Sequence, residues 1–375
     1  MTLEINHVII HELVKDQHKA LKESNMREDV LPKDDEFVVK LVEGALEIYG
    51  RKANAAQYGC FKTKKVGDFP RLYEDYTKKA VATKQDFIKF SEDTIKEFEK
   101  SLKEGTSSPA SGGYILFVDY KQAGKSYFLV AMLKNKPGLQ LSKDLKPEEL
   151  MHIDLNKLHQ ASKINKEKYE LYKSATEEDK AQITYLSFVS PSTNKAAAGY
   201  FIDSIGCEKG ASSTISTRLV IKHVPKFFRE EQALNSKDAL KVKSDILRYM
   251  DDCANATPLK VAKLSEIEGL ARAYFPNDQP DTADNLGEKL FALLNGDEVG
   301  IPVEFSVNKN EISKAQKHKL VSNNWTLSVE KSAIGIGENA EVRYVNNTLV
   351  ISRLSYEMQQ EIEADLMEKG LLNHD

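Results

Sequence analysis

Apolar positions divide the chain into short β-like runs and longer stripes at helical spacing, and the two kinds alternate irregularly along it. Residues 3 to 13, LEINHVIIHEL, carry β-branched Ile5, Val8, Ile9 and Ile10 and read as a strand. YILFVDY (114 to 120) and SYFLVAML (126 to 133), joined by the polar KQAGK, read as a β-hairpin. Short strands are expected from Met151 to Leu155 and from Ile183 to Val189. In EFVVKLVEGALEIYG, Phe37, Leu41, Ala45 and Ile48 fall on one side of a helix, with Asp34 or Asp35 as N-cap and Gly50 at its end. Over about 71 to 104 the stripe is Phe87, Phe90, Ile95, Phe98 and Leu102, closed by the loop GTSSPASGG. Between these, RKANAAQYGCFKTKK (51 to 65) is basic and aromatic without a clear period.

The stretch from Tyr185 to Arg229 organises the middle of the chain. A loop closed by Pro191 leads to a helix with Phe201, Ile202 and Ile205, ending in Ile205-Gly206-Cys207. A second helix starts from Ser212 or Ser213 and carries Arg218, Lys222 and Lys226, which share a face because residues four apart are helix neighbours. Pro225 is expected to end it, and Arg229 to lead into a further helix from about Glu230 to Cys253 with Lys237, Lys241, Lys243 and Arg248. Upstream, Lys163, Lys166, Lys168 and Lys173 make residues 150 to 174 basic. Beyond residue 255 come helices around 258 to 271 and 282 to 295 with a linker at Asn277-Asp278-Gln279-Pro280. Short β-runs follow (VEFSV, WTLSVEK, VRYV and TLVIS, with Asn346-Asn347 at a hairpin turn), then a basic island from Lys314 to Lys319 within the same region. The closing helix YEMQQEIEADLMEKG puts Met358, Ile362 and Leu366 in contact with something.

These patterns predict an α+β fold: a mixed or antiparallel sheet with helices packed on one face, plus a smaller α+β C-terminal domain. The composition change places the boundary between 1–255 and 256–375. Length of 375 residues suits about two domains, at roughly 100 to 200 residues each. Neither a signal-peptide order nor an apolar run near the roughly 18 residues of a membrane span is present, and Cys60, Cys207 and Cys253 offer no disulfide framework, so a cytoplasmic protein is expected.

The net charge of −4 conceals a division. Residues 1 to 50 carry −5, residues 51 to 250 carry +10, and residues 251 to 375 carry −9. Phosphate binding depends on local potential and counterion release rather than on the sum. The basic middle therefore admits duplex DNA as partner, with Arg218, Lys222, Lys226, Arg229, Lys163, Lys166, Lys241 and Lys243 as contacts. Ser212, Ser213, Thr214, Ser216 and Thr217 add hydroxyls and backbone N–H groups at a helix start, where phosphate can be held.

The order YL-x-F, a variable loop, F-I-x-x-I-G-C, a polar spacer and T-x-L-V resembles the bacterial nucleoid-associated family of NdpA/YejK-like proteins. INHVIIHEL at the start, GGYILFV from Gly112, WTLSV and VRYVNNTLVI extend the resemblance over nearly the whole chain. The resemblance implies a non-enzymatic, largely sequence-independent DNA-binding protein of the nucleoid, without cofactor. For some members it implies contact with a type II topoisomerase. The acidic C-terminal part is the candidate surface for such a partner, and helical apolar stripes suggest a homodimer.

Three chemical motifs compete with that reading. Ala123-Gly124-Lys125-Ser126 echoes a P-loop, but Asp119 stands where the first glycine belongs and a strand follows the serine. Asp119-Tyr120-Lys121 matches the acidic-x-Lys step of metal-dependent nucleases, though no partner carboxylate can be assigned. His7 and His11 lie in a β-like run and are expected to be structural. A third class of function is an interaction scaffold with incidental DNA contact.

Overall fold

The computed structural model describes residues 3–49, 56–62, 68–79, 82–104, 111–154, 160–180, 183–189, 195–209, 213–276 and 280–372. Two compact units result, Met1–Val307 and Asn308–Asp375, so the change in composition near residue 255 falls inside the first unit. Gly50, most of the GTSSPASGG loop, Ser212 and Asn277 to Gln279 lie outside the described residues.

The first unit begins with β1 (Leu3–Leu13), α1 (Glu36–Ile48), β2 (Gln57–Phe61), α2 (Phe69–Thr77) and α3 (Lys84–Glu104). It continues with β3 (Gly113–Gln122), β4 (Lys125–Leu133), β5 (Asn135–Leu141), β6 (Pro147–Ile153), β7 (Gln160–Asn165), α4 (Lys166–Ser174) and α5 (Glu177–Lys180). Then come β8 (Leu186–Val189), α6 (Lys195–Ile205) and β9 (Cys207–Lys209). Seven strands form one sheet in the order β1-β3-β4-β7-β8-β2-β9, and every pairing in it is antiparallel. The fold is α+β, as the pattern predicts, and the sheet is antiparallel rather than mixed.

Strand periodicity puts alternate side chains on opposite faces, and in β3 both faces are buried. Ile115 and Phe117 enter one core with Phe87, Phe90 and Phe98 of α3, Phe69, Tyr73 and Tyr76 of α2, and Phe201 and Ile205 of α6. Leu116, Val118 and Tyr120 enter the other with Val38, Val42, Ala45 and Ile48 of α1. Helices therefore cover both faces, not one; the continuous apolar runs of β3 and β4, without polar alternation, are the consequence. The stripe on α1 is also rotated from the expected one: Phe37 is exposed, while Val38 and Val42 are buried.

The β3–β4 turn is only Ala123 and Gly124, because Gln122 pairs with Lys125. Both have positive φ, 51° and 76°, the geometry of a two-residue hairpin turn. The P-loop echo is this turn. Gly112 is required by close approach, since a Cβ there would lie 1.8 Å from the Leu13 carbonyl oxygen.

A helical group completes the unit: α7 (Ser213–Glu230), α8 (Asp238–Asn255), α9 (Leu264–Arg272) and α10 (Pro280–Asn295), with the short β10 (Ala262–Lys263) pairing β11 (Glu304–Phe305). Its C-terminal turn is fastened to the sheet. The Asn295 carboxamide accepts from the Ala56 N–H and donates to the Ala56 and Ile301 carbonyls, each at 2.8 Å. Tyr58 donates its hydroxyl to the Asn295 carbonyl.

The second unit contains α11 (Lys309–Gln316), β12 (Lys317–Val321), β13 (Thr326–Glu330), β14 (Ile334–Gly335), β15 (Val342–Val345), β16 (Thr348–Ile351) and α12 (Tyr356–Glu368). Asn346 and Asn347 form the β15–β16 turn at φ 47° and 59°, which the Asn-Asn dipeptide predicts. Lys314 to Lys319 is split between α11 and β12. No residue of α12 is buried, and Met358 and Ile362 are exposed. No helix among the described residues is long and apolar enough to cross a membrane.

Candidate nucleic-acid interface

In α7 the apolar positions Val220, Val224, Phe227 and Phe228 are buried, and the Phe228 ring lies 5.8 Å from that of Phe275. Burying this stripe turns the opposite side outward. Arg218, Lys222, Lys226 and Arg229 are all exposed there. At 1.5 Å per residue the row from 218 to 229 extends about 16 Å, near half the roughly 34 Å pitch of duplex DNA. Lys226 has Glu230 at 3.6 Å across open solvent, a weak pair. Lys222 and Arg229 have no acidic partner among the described residues. The His223 pKa is lowered by burial and then by Lys222 and Lys226, so the row owes its charge to Lys and Arg.

Pro225 does not end this helix. α7 runs through it to Glu230 with Pro225 buried. A proline interrupts one i→i−4 bond and normally kinks or breaks a helix; here the apolar residues on both sides of it enter one buried stripe, and tertiary packing carries the helix past the gap. The expected boundary at Pro225 moves to the segment between Glu230 and Asp238.

The hydroxyls at the start of α7 are less available than the sequence suggests. Ser216 and Thr217 are buried, and Thr217 donates back to the Ser213 carbonyl at 2.7 Å. Only Ser213 and Thr214 of the described set are partly accessible. On α8, Lys241 is exposed and bonds Asp238 at 2.8 Å, while Lys243 is half-buried.

The upstream lysines face inward. Lys163 is 11% exposed, sits 2.5 Å from Asp297, and lies over the Tyr49 ring at 4.4 Å. Lys168 donates to the Asp297 carbonyl at 2.8 Å, and burial lowers its pKa. Lys166 pairs with Asp119 at 2.6 Å. These residues join β7 and α4 to the end of α10 and to β3; they do not extend the α7 row. No sequence signal marks Asp297, because it lies 134 residues from Lys163.

Asp119 is 4% exposed and has both carboxylate oxygens engaged. Oδ1 accepts from the Asn6 amide at 3.0 Å; Oδ2 accepts from the Tyr76 hydroxyl at 2.7 Å and from Lys166. The Lys166 ammonium already supplies positive charge against Oδ2. Lys121, the other residue of the nuclease motif, has Glu4 at 3.8 Å. Burial and then the Asp119 charge push the Tyr76 pKa upward, keeping that hydroxyl a donor. Among the described residues no three His, Cys, Asp or Glu side chains are grouped to hold a metal.

The histidine pair divides by environment. His11 is buried; its Nδ1 accepts from the Arg27 N–H at 3.1 Å, so Nε2 carries the proton and donates to Ser91 Oγ at 2.9 Å. Burial lowers its pKa to about 4. His7 stacks on Phe87 at 5.2 Å. None of the three cysteines is in a disulfide, and Cys207 is a small buried thiol whose pKa is raised by that burial.

Comparison with known proteins gives the family. The family described as nucleoid-associated protein YejK matches residues 9–359. The chain belongs to this family. A nucleoid-associated protein of Pseudomonas aeruginosa (strain UCBPP-PA14) is 23% identical over 361 residues, covering 96% of this chain and 98% of the relative. One from Pseudomonas putida (strain W619) is 24% identical over 362 residues, covering 96% and 99%. For a YejK-family protein, then, the α7 row is an exposed four-cation surface held on a buried apolar stripe, and the Asp119 cluster, built by Asn6, Tyr76 and Lys166, is an internal ion pair.

Proposed function

We propose that this protein is a nucleoid-associated, largely sequence-independent DNA-binding protein that contacts duplex phosphates through the outward face of α7. The observation that carries the reading is the exposed row Arg218, Lys222, Lys226 and Arg229 on a helix otherwise buried by Val220, Val224, Phe227 and Phe228. Lysine and arginine at helical spacing offer charge without fixed base-edge geometry, so they position a duplex without reading it. Lys241 and Arg248 on α8 add exposed cations, each paired with an acidic residue three positions away.

Membership in a nucleoid-associated family supports location on the nucleoid. The acidic segment after residue 250, net −9, is the part proposed to contact protein, with a type II topoisomerase as the partner class and a homodimer as the assembly. The nuclease reading is not favoured, because Asp119 already accepts three hydrogen bonds.

Gel-shift titration of a mixed-sequence duplex tests this. Reversing Lys222, Lys226 and Arg229 to Glu should weaken binding by more than about tenfold at moderate salt, since three phosphate contacts are lost and three repulsions gained. Unchanged binding by a correctly folded triple variant would refute it. Unrelated duplexes should bind within a few-fold of one another.

A further inference from the structure

A cavity of about 760 Å³ opens against the buried Asp119, between β1, β3, α2 and α4. It falls within the roughly 300 to 1,000 Å³ of small-ligand sites. Its wall is rich in cations: Lys33, Lys79, Lys84, Lys121 and Lys166 all contribute. Not all of them are available. Lys166 neutralises Asp119, Lys84 is 2.5 Å from Asp29, and Lys79 is held by Asp86. Two remain. Lys121 has only Glu4 at 3.8 Å, and Lys33 is exposed with no hydrogen-bond or ion-pair partner among the described residues. Lys33 and His7 both belong to the cavity wall.

The rest of the wall is firm and partly polar. Tyr73, Tyr76 and Tyr169 back the cavity from the core, where their rings are buried, and so give its wall rigidity rather than open ring surface. The Tyr73 hydroxyl is buried without a hydrogen-bond partner among the described residues, and Asp119 and Glu170, both of the same wall, act on it electrostatically. A buried hydroxyl left unpaired is unfavourable unless something reaches it. Asn6 and Thr77 add further polar groups. With Asp119 satisfied internally, the floor no longer repels an anion, and an ammonium pair is a good point-charge match for phosphate.

We infer that this cavity binds a phosphate group, with Lys33 and Lys121 on the phosphate oxygens. The phosphate belongs either to a free nucleotide or to the terminal nucleotide of a strand; the chemistry recognised is the same. The site is separate from the α7 row and does not rest on the duplex reading.

Calorimetric titration of the full chain with ATP, AMP, adenosine and a 5′-phosphorylated tetrathymidylate tests the site, alongside Lys33→Glu/Lys121→Glu, Lys33→Gln and Lys222→Glu/Arg229→Glu. Circular dichroism verifies that each variant is folded. Saturable binding of at least one phosphorylated probe is expected, weakened by about tenfold or more in the double reversal and less in Lys33→Gln. The α7 reversal should leave that binding unchanged while weakening duplex binding. Binding of ATP and AMP would assign the site to free nucleotides, and binding of the phosphorylated oligonucleotide alone would assign it to strand ends. The inference is overturned if no phosphorylated probe binds at millimolar concentration. It is equally overturned if adenosine binds as well as AMP, or if the folded Lys33→Glu/Lys121→Glu chain binds like the wild type.

Discussion

The basic middle of the chain contains two sets of cations with opposite fates. On α7, Arg218, Lys222, Lys226 and Arg229 stand in solvent on the back of an apolar stripe. On β7 and α4, Lys163, Lys166 and Lys168 turn toward Asp297 and Asp119. Both sets count toward the +10 of residues 51 to 250, four charges from the first and three from the second. The difference is position: β7 is an interior strand with a neighbour on each side, and α4 starts directly from it and packs on β4 and β7, so charges leaving this corner meet protein before water. A buried ammonium needs a counterion and hydrogen bonds, so those lysines fasten elements together. Local charge density predicts a DNA surface only after the cations with buried partners are set aside.

The largest test of this contrast removes a buried partner. Asp297→Ala strands Lys163, which is 11% exposed, and urea unfolding should show a loss of about 3 to 5 kcal/mol, as for other broken buried pairs. A loss below about 1 kcal/mol, typical of a solvent-screened pair, would place Lys163 with the α7 cations instead.

His11 gives a smaller effect from the same cause. Its folded-state pKa, about 4, lies below the unfolded value near 6.5. The unfolded chain therefore takes up the proton first as pH falls, and stability declines from about pH 6.5 toward about pH 4, by about 2 kcal/mol after allowance for residual screening. Protonation of Nδ1 would also break the bond from the Arg27 N–H. A His11→Gln variant should lack this part of the decline; an unaltered pH–stability curve would contradict the assignment.

The smallest effect belongs to the exposed row. Lys222→Ala with Arg229→Ala should change unfolding free energy by no more than about 0.5 kcal/mol, as expected for surface positions. A larger loss would show that these side chains support the fold and are not simply displayed by it.

The parts of this architecture legible in the sequence are those set by local pattern. The β3–β4 hairpin follows from two continuous apolar runs around Ala123-Gly124, the β15–β16 turn from Asn346-Asn347, and the α7 row from residues four apart. What stayed hidden depends on distant partners. β2 is five residues, QYGCF, inside a basic segment, and becomes a strand only because β8 and β9 flank it. Pro225 signalled a break that helix packing overrides. Lys163 and Lys166 read as surface cations because Asp297 and Asp119 are far from them along the chain. Asp119-Tyr120-Lys121 looked like chemistry, yet Asn6, Tyr76 and Lys166 converge on Asp119 from three separate elements.

The most direct test of the central claim is the salt dependence of duplex binding, compared between Lys222→Ala/Arg229→Ala and Lys163→Gln. The slope of log K against log salt should shrink by about 2 in the α7 variant, at roughly 0.9 per phosphate contact, and stay at the wild-type value in Lys163→Gln. A flat wild-type response, or an equal loss of slope in both folded variants, would contradict it.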